Sequence, residues 1–435
     1  MIRIGFGQGF WGDSSEAPVR LVEDGPLDYL ALDYLAEVTM SILQKQYQEN
    51  PAHGYARDFP ALIERIAPTI RQRKIQVLAN AGGVNPRACA EEIRRRAPQL
   101  KVAIVEGDNI FPRIGELLSA GEKLRNIDTG EPIQGIVTEL RSANVYLGAF
   151  PLAEALATGA DVVVTGRCAD AALALAPMLH RFGWTALDLD LLAAGIVAGH
   201  IGECGAQCTG GNCLADWRSI PDLARIAYPI LEVQADGACV VTKHERYKNG
   251  PSGGRVSLAS VKEQLVYEIG DPARYFTPDV VADFTALRLA EDGPNRVRVS
   301  GASGLAAPEK LKASISYHWG WKAVGTLVYS APDGAEKARR AAEIVWERCA
   351  ELGLQFDAKL AEVFGESTAL LRMAVRGRDK KSIERWTREM IPLVLNGPPG
   401  ATGYGDGRPK VHEVVAYWPA LVSRHAVTPR IEVLA

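Results

Sequence analysis

The sequence predicts an α/β protein: an N-terminal parallel sheet with helices on its faces, followed by an α+β region with an antiparallel, ferredoxin-like sandwich. Three observations carry this reading. Residues 1–185 repeat a short apolar run, a polar Gly-rich turn and an amphipathic helical pattern, the signature of βα units. Residues 226–330 read mostly as strands, with turns such as Ala235-Asp236-Gly237 that suit hairpins. From Leu311 onward the order becomes strand, strand, helix, strand, helix. The chain has 435 residues, 47% of them hydrophobic, which gives room for about two or three domains. The expected division is a parallel α/β domain at 1–215 and an α+β domain at 216–435.

The N-terminal apolar runs are Ile2–Phe6, Leu27–Leu32, Ile75–Ala79, Lys101–Val105, Ala143–Leu147 and Asp161–Thr165. Helices are expected at Leu35–Gln48, Phe59–Gln72, Pro86–Arg96 and Ala169–Phe182. In the second of these, Leu62, Ile63, Ile66 and Ile70 share one face, and Pro60 is tolerated in the first turn. An Ala-rich helix follows at Leu187–Gly199. Strands are then expected at Ile230–Val233, Cys239–Thr242, Val256–Leu258, Val297–Ser300, Leu311–Tyr317 and Ala323–Ser330. Helices Ala335–Leu352 and Ser382–Leu395 flank a strand at Ala369–Val375. A Gly/Pro-rich loop, Asn396–Pro409, precedes an apolar C-terminal tail.

A net charge of −3 argues against a general nucleic-acid binder, and the Arg94–Arg96 cluster reads as a helix end facing water. No apolar run reaches the ~18 residues that a membrane span requires, and Met1-Ile-Arg-Ile-Gly5 reads as a first strand rather than a signal peptide. Seven scattered cysteines, an odd number, fit a reducing compartment, so the expected location is cytoplasmic. Trp319, Trp321, Tyr404, Tyr417 and Trp418 read as core or interface.

In parallel sheets, ligands bind outside the carboxyl ends of the strands. The turns at those ends carry Gly, carboxylates and amides: Gly7–Asp13, Asp33-Tyr34, Asn80–Gly83, Glu106–Asn109 and Thr165–Asp170. Gly7-x-Gly9-x-x-Gly12 matches the dinucleotide fingerprint only formally, because Asp13 and Glu16 stand where pyrophosphate would approach. Thr165-Gly166-Arg167 opens a helix and suits an anion, unless Arg167 simply bridges to Asp170.

The densest chemistry lies in Gly199–Asn212, which sets His200, Glu203, Cys204, Gln207 and Cys208 among glycines and reads as a loop over the sheet edge. Glu203 and His200 suit proton transfer, aided by Asp33 or Asp170. Asn80, Gly82, Gly83, Thr165, Gly166, Arg167, Gln207 and Lys243 are the expected substrate-binding residues, the two Gly-rich turns offering backbone N–H donors. The cysteine spacing is not that of a structural zinc site, and no metal is expected. A metal-dependent hydrolase built on His200, Glu203, the nearby cysteines or His244 is a rival reading. Lys243-His244-Glu245 otherwise reads as a solvated strand end.

Several strings together resemble the AtuA family, the acyclic terpene utilisation proteins. They include Leu32-Asp33-Tyr34-Leu35-Ala36-Glu37-Val38-Thr39-Met40, Asn80-Ala81-Gly82-Gly83-Val84-Asn85-Pro86 and Val105-Glu106-Gly107-Asp108. Gly159–Arg167, the 199–212 segment, Gln264–Ile269, Pro278-Asp279-Val280 and Glu413–Pro419 continue the similarity along nearly the whole chain. The resemblance implies a hydratase or lyase acting on a branched CoA thioester in acyclic terpene or branched-chain acyl-CoA catabolism. Coenzyme A would enter as part of the substrate, with no further cofactor. It also implies a small ferredoxin-fold module that would be a separate subunit here; a homo-oligomer is expected from the apolar tail, and no membrane partner from the lack of a long apolar run. The alternative is a non-catalytic subunit that binds an acyl-CoA or positions a partner enzyme. The apolar tail around Trp418 is the expected docking segment.

Overall fold

A computed structural model describes residues 1–214, 217–403 and 407–434. The expected boundary at 215/216, and Tyr404 and Gly405 of the Gly/Pro-rich loop, lie outside the described residues. The chain divides into two compact units, one comprising 1–137, 141–315 and 417–435, the other 138–140 and 316–416.

The first unit is built on β1 (Ile2–Gln8), β2 (Tyr29–Leu32), β3 (Gln76–Ala79), β4 (Val102–Glu106), β5 (Leu140–Val145), β6 (Val162–Thr165), β7 (Pro229–Val233) and β8 (Cys239–Lys243). Its helices are α1 (Glu16–Asp24), α2 (Glu37–Glu49), α3 (Phe59–Arg73), α4 (Pro86–Arg96), α5 (Ile114–Ser119), α6 (Ala149–Ala157), α7 (Ala172–Phe182), α8 (Leu189–Gly202) and α9 (Leu258–Val266). The order β1-β2-β3-β6-β4 is parallel throughout. β6 fills the place that the chain skips between β3 and β4, so the strand order switches there. In such sheets the crevice at the switch takes ligands.

The parallel sheet is the centre of a larger mixed one. The Ala235-Asp236-Gly237 turn reverses the chain, so β7 runs antiparallel to β1 and β8 to β7. Arg288–Glu291 and Val297–Ser300 extend that side, and Arg430–Leu434 adds an antiparallel edge beside β4, making ten strands. Leu62, Ile63, Ile66 and Ile70 of α3 are all buried against the sheet, as their spacing requires.

Local chemistry explains where the elements depart from the sequence reading. The expected strand Val256–Leu258 does not form: Ser257 accepts the Ser260 amide and starts α9 instead. The expected strand Ala143–Leu147 forms earlier, as β5, and takes no place in the large sheet. Glu16–Asp24 fold as α1, and Ala149–Ala157 as α6, neither of which the sequence reading named. The C-terminal tail is strand: Trp418 is 4% exposed and its Nε1 donates to the Leu124 carbonyl at 2.9 Å. That aromatic belongs to its own core, which removes it as a docking residue.

Gly199–Asn212 is not a loop. α8 runs to Gly202, and a 3₁₀ turn follows at Gly205–Thr209. The glycines serve close packing. A Cβ at Gly199 would lie 2.6 Å from the Ala171 carbonyl oxygen, and one at Gly202 would lie 2.5 Å from the Phe6 ring. The helix is buried nearly all round, so it tolerates glycine because its neighbours leave no room for a side chain. Gly199→Ala is expected to destabilise the fold by about 1–3 kcal/mol, the usual range for overpacking. Thermal melting checks this, and an unchanged midpoint would mean that the contact is slack.

In the second unit, strands Ala358–Phe364, Ala369–Gly377, the later part of Lys310–Tyr329 and Ala401–Gly403 form an antiparallel sheet. Helices Gly334–Glu351 and Lys380–Trp386 cover the face bearing Leu327, Leu371 and Met373. The strands expected at Leu311–Tyr317 and Ala323–Ser330 are one continuous strand. The helix expected over Ser382–Leu395 is interrupted, resuming only after Pro392.

Candidate functional site

Each parallel strand ends on a polar residue at the carboxyl edge, and these residues are knitted together. After β2, Asp33 is 4% exposed; after β3, Asn80 is fully buried. Asn80 Nδ2 donates to Asp33 Oδ1 at 2.7 Å, and Asn80 Oδ1 accepts the Tyr34 amide at 2.6 Å. After β4, Asp108 Oδ2 accepts the Arg167 amide and Asn144 Nδ2, both at 2.8 Å. This contact requires glycine beside it: a Cβ at Gly166 would lie 2.4 Å from Asp108 Oδ1.

Arg167, after β6, is 1% exposed. Its Nη1 lies 3.0 Å from Asp170 Oδ1 and donates to the Leu35 carbonyl, while Nη2 lies 3.9 Å from Glu37 Oε1. The guanidinium stacks 4.3 Å from the Tyr146 ring centroid. Tyr146 donates its hydroxyl to Glu37 at 2.5 Å, and Lys312 Nζ lies 3.8 Å from the same carboxylate. The bridge to Asp170 is therefore formed. Glu37, Asp170 and Lys312 are 40, 37 and 47% exposed at the side chain and give the cluster its opening to solvent.

The end of α8 brings His200 and Glu203 to the same edge. His200 is buried, and its Nδ1 lies 2.9 Å from Glu203 Oε1. Gln264 of α9 donates to the His200 carbonyl at 2.8 Å, and Tyr275 packs its ring 5.4 Å from the imidazole. A Cβ at Gly9, past the end of β1, would lie 3.1 Å from the Glu203 carbonyl oxygen, so that turn touches the pair's backbone.

Four carboxylates, Asp33, Glu37, Asp170 and Glu203, face two cations, Arg167 and Lys312. They do not share one protonation state. Burial opposes the anion of Glu37, but Arg167 and the Tyr146 hydroxyl outweigh it and hold that carboxyl low. Burial and the neighbouring Asp170 push Asp33 well above the ordinary range, against Arg167 and Asn80. Burial raises Glu203, with His200 opposing; burial disfavours the His200 cation, but Glu203 outweighs it and the imidazole is raised. Burial also lifts Asp108 to about 6. Carboxyls displaced toward neutrality by burial and like charge are the pattern of acid–base sites.

Several buried polar atoms lack a hydrogen-bond partner here: His200 Nε2, Glu203 Oε2, Arg167 Nε, Thr165 Oγ1, Gln8 Oε1 and Gln264 Oε1. Such atoms are rare in folded proteins, and each calls for a partner beyond the protein itself, water or ligand. The thiols point the other way. Burial raises Cys204 to about 12 and lifts Cys208 further, so both stay protonated and act as small apolar groups.

The structure thus gathers His200, Glu203, Asp33, Asp170, Asn80, Thr165, Gly166 and Arg167. Gly82 and Gly83 lie in the same edge, but their amides are committed to the Thr165 and Asn80 carbonyls, as the Arg167 amide is to Asp108. Gln207 sits in the 3₁₀ turn after the pair. Lys243 ends β8 at the same edge, yet its ammonium is bonded to the His244 carbonyl and Ser252 Oγ, away from the cluster. Glu37, Asn144, Tyr146, Lys312, Gln264 and Tyr275 were not read from the sequence as site residues, and Asp108 entered only as part of the Glu106–Asn109 turn. Asn144 carried a signal, a lone amide inside an apolar run; Lys312 carried none, since its strand alternates like any solvated edge. Cavities of about 740, 450 and 270 Å³ lie elsewhere on the molecule.

Among the described residues no three His, Cys, Asp or Glu side chains converge as a metal ion would require, and no helix is long and apolar enough to cross a membrane. Residues 2–433 match a family model described as acyclic terpene utilisation family protein AtuA. No curated protein matches the chain.

Proposed function

The chain belongs to the acyclic terpene utilisation family AtuA, which supports a role in terpene catabolism, and we propose that it acts there as a lyase on a branched CoA thioester. The reaction adds or removes water, or cleaves a carbon–carbon bond, next to the thioester carbonyl. The observation that carries this is the buried His200–Glu203 pair, with one unpartnered polar atom on each side chain beside the Asp33–Arg167–Asp170 cluster. Dehydration of a 3-hydroxyacyl thioester needs one group to take the proton from the α-carbon and another to protonate the departing β-hydroxyl. A histidine and a carboxylic acid raised toward neutrality supply those two roles without a cofactor beyond the coenzyme A of the substrate. Asp33 and Asp170 stand beside the pair, and Arg167 opposes the burial that favours their neutral forms.

The test is an assay of the purified chain on branched 2-enoyl-CoA and 3-hydroxyacyl-CoA thioesters, following the absorbance of the conjugated thioester in both directions. Retro-aldol cleavage is scored separately by the released carbonyl product. Interconversion or cleavage that depends on Glu203 is expected. Tight thioester binding with neither reaction, alone or with a small ferredoxin-fold partner added, would favour the non-catalytic binding subunit instead.

A further inference from the structure

The turn that positions Asn80 has a second, outer end. There Asn85 caps α4, accepting the Ala88 amide at 3.3 Å and donating to the Pro51 and His53 carbonyls at 2.9 and 2.8 Å. The Ala56 amide donates to the Ala81 carbonyl and the Val84 amide to the Gly54 carbonyl, so 51–57 and 80–85 form one wall. Between this wall and α4 lies a cavity of about 740 Å³. Small-molecule sites commonly occupy about 300–1,000 Å³.

Four arginines, Arg57, Arg87, Arg95 and Arg96, line it together with Glu91 and Glu92. Arg95 and Arg96 are held by Glu92, Arg96 also by Glu64, and Arg87 by Glu432. Arg57 is exposed and makes no ion pair among the described residues. Tyr55, nearly buried, adds an aromatic surface to the lining. Arginine forks match phosphate oxygens, and an aromatic ring matches a nucleobase.

We propose that this groove holds the nucleotide end of a coenzyme A thioester, with the phosphates on Arg57 and its neighbours and the adenine against Tyr55. The inference rests on the thioester reading of the carboxyl-edge cluster. Asn80 and Asn85 are five residues apart, so their α-carbons are separated by at most about 18 Å. A pantetheine arm can cover that span from the groove to the Asp33–Asn80 pair.

The experiment is calorimetric titration of the full chain with adenosine 3′,5′-bisphosphate, adenosine 5′-monophosphate and inorganic phosphate, for wild type, Arg57→Glu and Arg57→Lys. The bisphosphate is expected to bind more tightly than the other two. Arg57→Glu should weaken it at least about tenfold, and Arg57→Lys less, since the charge remains but the fork is lost. Arg57 makes no ion pair among the described residues, so the melting temperature should hold. No bisphosphate binding, equal binding by phosphate, or an unchanged affinity in Arg57→Glu would overturn the proposal. The two readings separate cleanly. Turnover of a short pantetheine thioester without bisphosphate binding sinks the groove and keeps the lyase, whereas bisphosphate binding with no thioester chemistry does the reverse.

Discussion

Glu203→Gln is expected to lower turnover by about 10²–10⁴-fold, the range that positioned proton transfer supplies, while costing well under about 3 kcal/mol of stability. Glutamine keeps the side chain's size and leaves an oxygen facing His200 Nδ1, now 2.9 Å from the carboxylate. It cannot cycle a proton. A readout independent of activity accompanies the kinetics. The Glu203 charge and hydrogen bond are the main influences lifting His200, with the Leu265 carbonyl and Asp170 adding to them and burial pulling the other way. Once that charge is gone, the His200 titration followed by NMR should move down from its wild-type midpoint. The two groups titrate as a pair in the wild type, so the shift is read from the midpoint of the imidazole signals rather than assigned to one site. Full turnover in a folded variant would remove Glu203 as acid or base. Lost turnover with an unmoved imidazole would point to a contact other than this pair.

The sheet edge was legible because one rule concentrates polar residues there. Asp33, Asn80 and Arg167 each follow an apolar run, and in a parallel sheet every such run ends on the same side. What the rule does not carry is the partnership between edges. Asp108 was visible as one acid among several in Glu106–Asn109, but its bond to the Arg167 amide depends on β6 lying between β3 and β4. Strand order of that kind is a long-range property that periodicity does not report.

Glycine misled the reading of Gly199–Asn212 for a comparable reason. Its low helix propensity is a local term of roughly 1 kcal/mol. The approach of Ala171 and Phe6 to α8 is a tertiary one that only glycine permits. Propensity lost to packing, and His200 came out on a helix. Trp418 shows the same limit from the other side. An apolar segment must be covered, but the sequence does not say whether by its own core or by a partner, and here the Leu124 carbonyl and the surrounding core cover it.

Arg167→Met is expected to give the largest stability loss, about 3–5 kcal/mol, because removing one partner of a buried ion pair leaves the other uncompensated. Asp170, Asp33 and Glu37 all lean on this guanidinium. Methionine fills much of the volume and stacks on Tyr146, so the loss measures charge rather than a cavity. The sign of the pH dependence follows from Asp33. Its folded value already lies above 3.8, and Arg167 is among the influences holding it down. Without Arg167 the folded state binds that proton more tightly still. The unfolded chain binds it only near about 3.9, so stability falls as pH rises from there through the raised folded value. The melting gap between wild type and variant should therefore be small near pH 4 and widen toward pH 8. A gap that is flat, or that narrows with pH, would mean that the carboxylates find other compensation. Adding Asp170→Asn to Arg167→Met removes one stranded charge, so the double variant should recover part of the loss. That coupling, closed as a double-mutant cycle, separates an electrostatic role for Arg167 from a merely steric one.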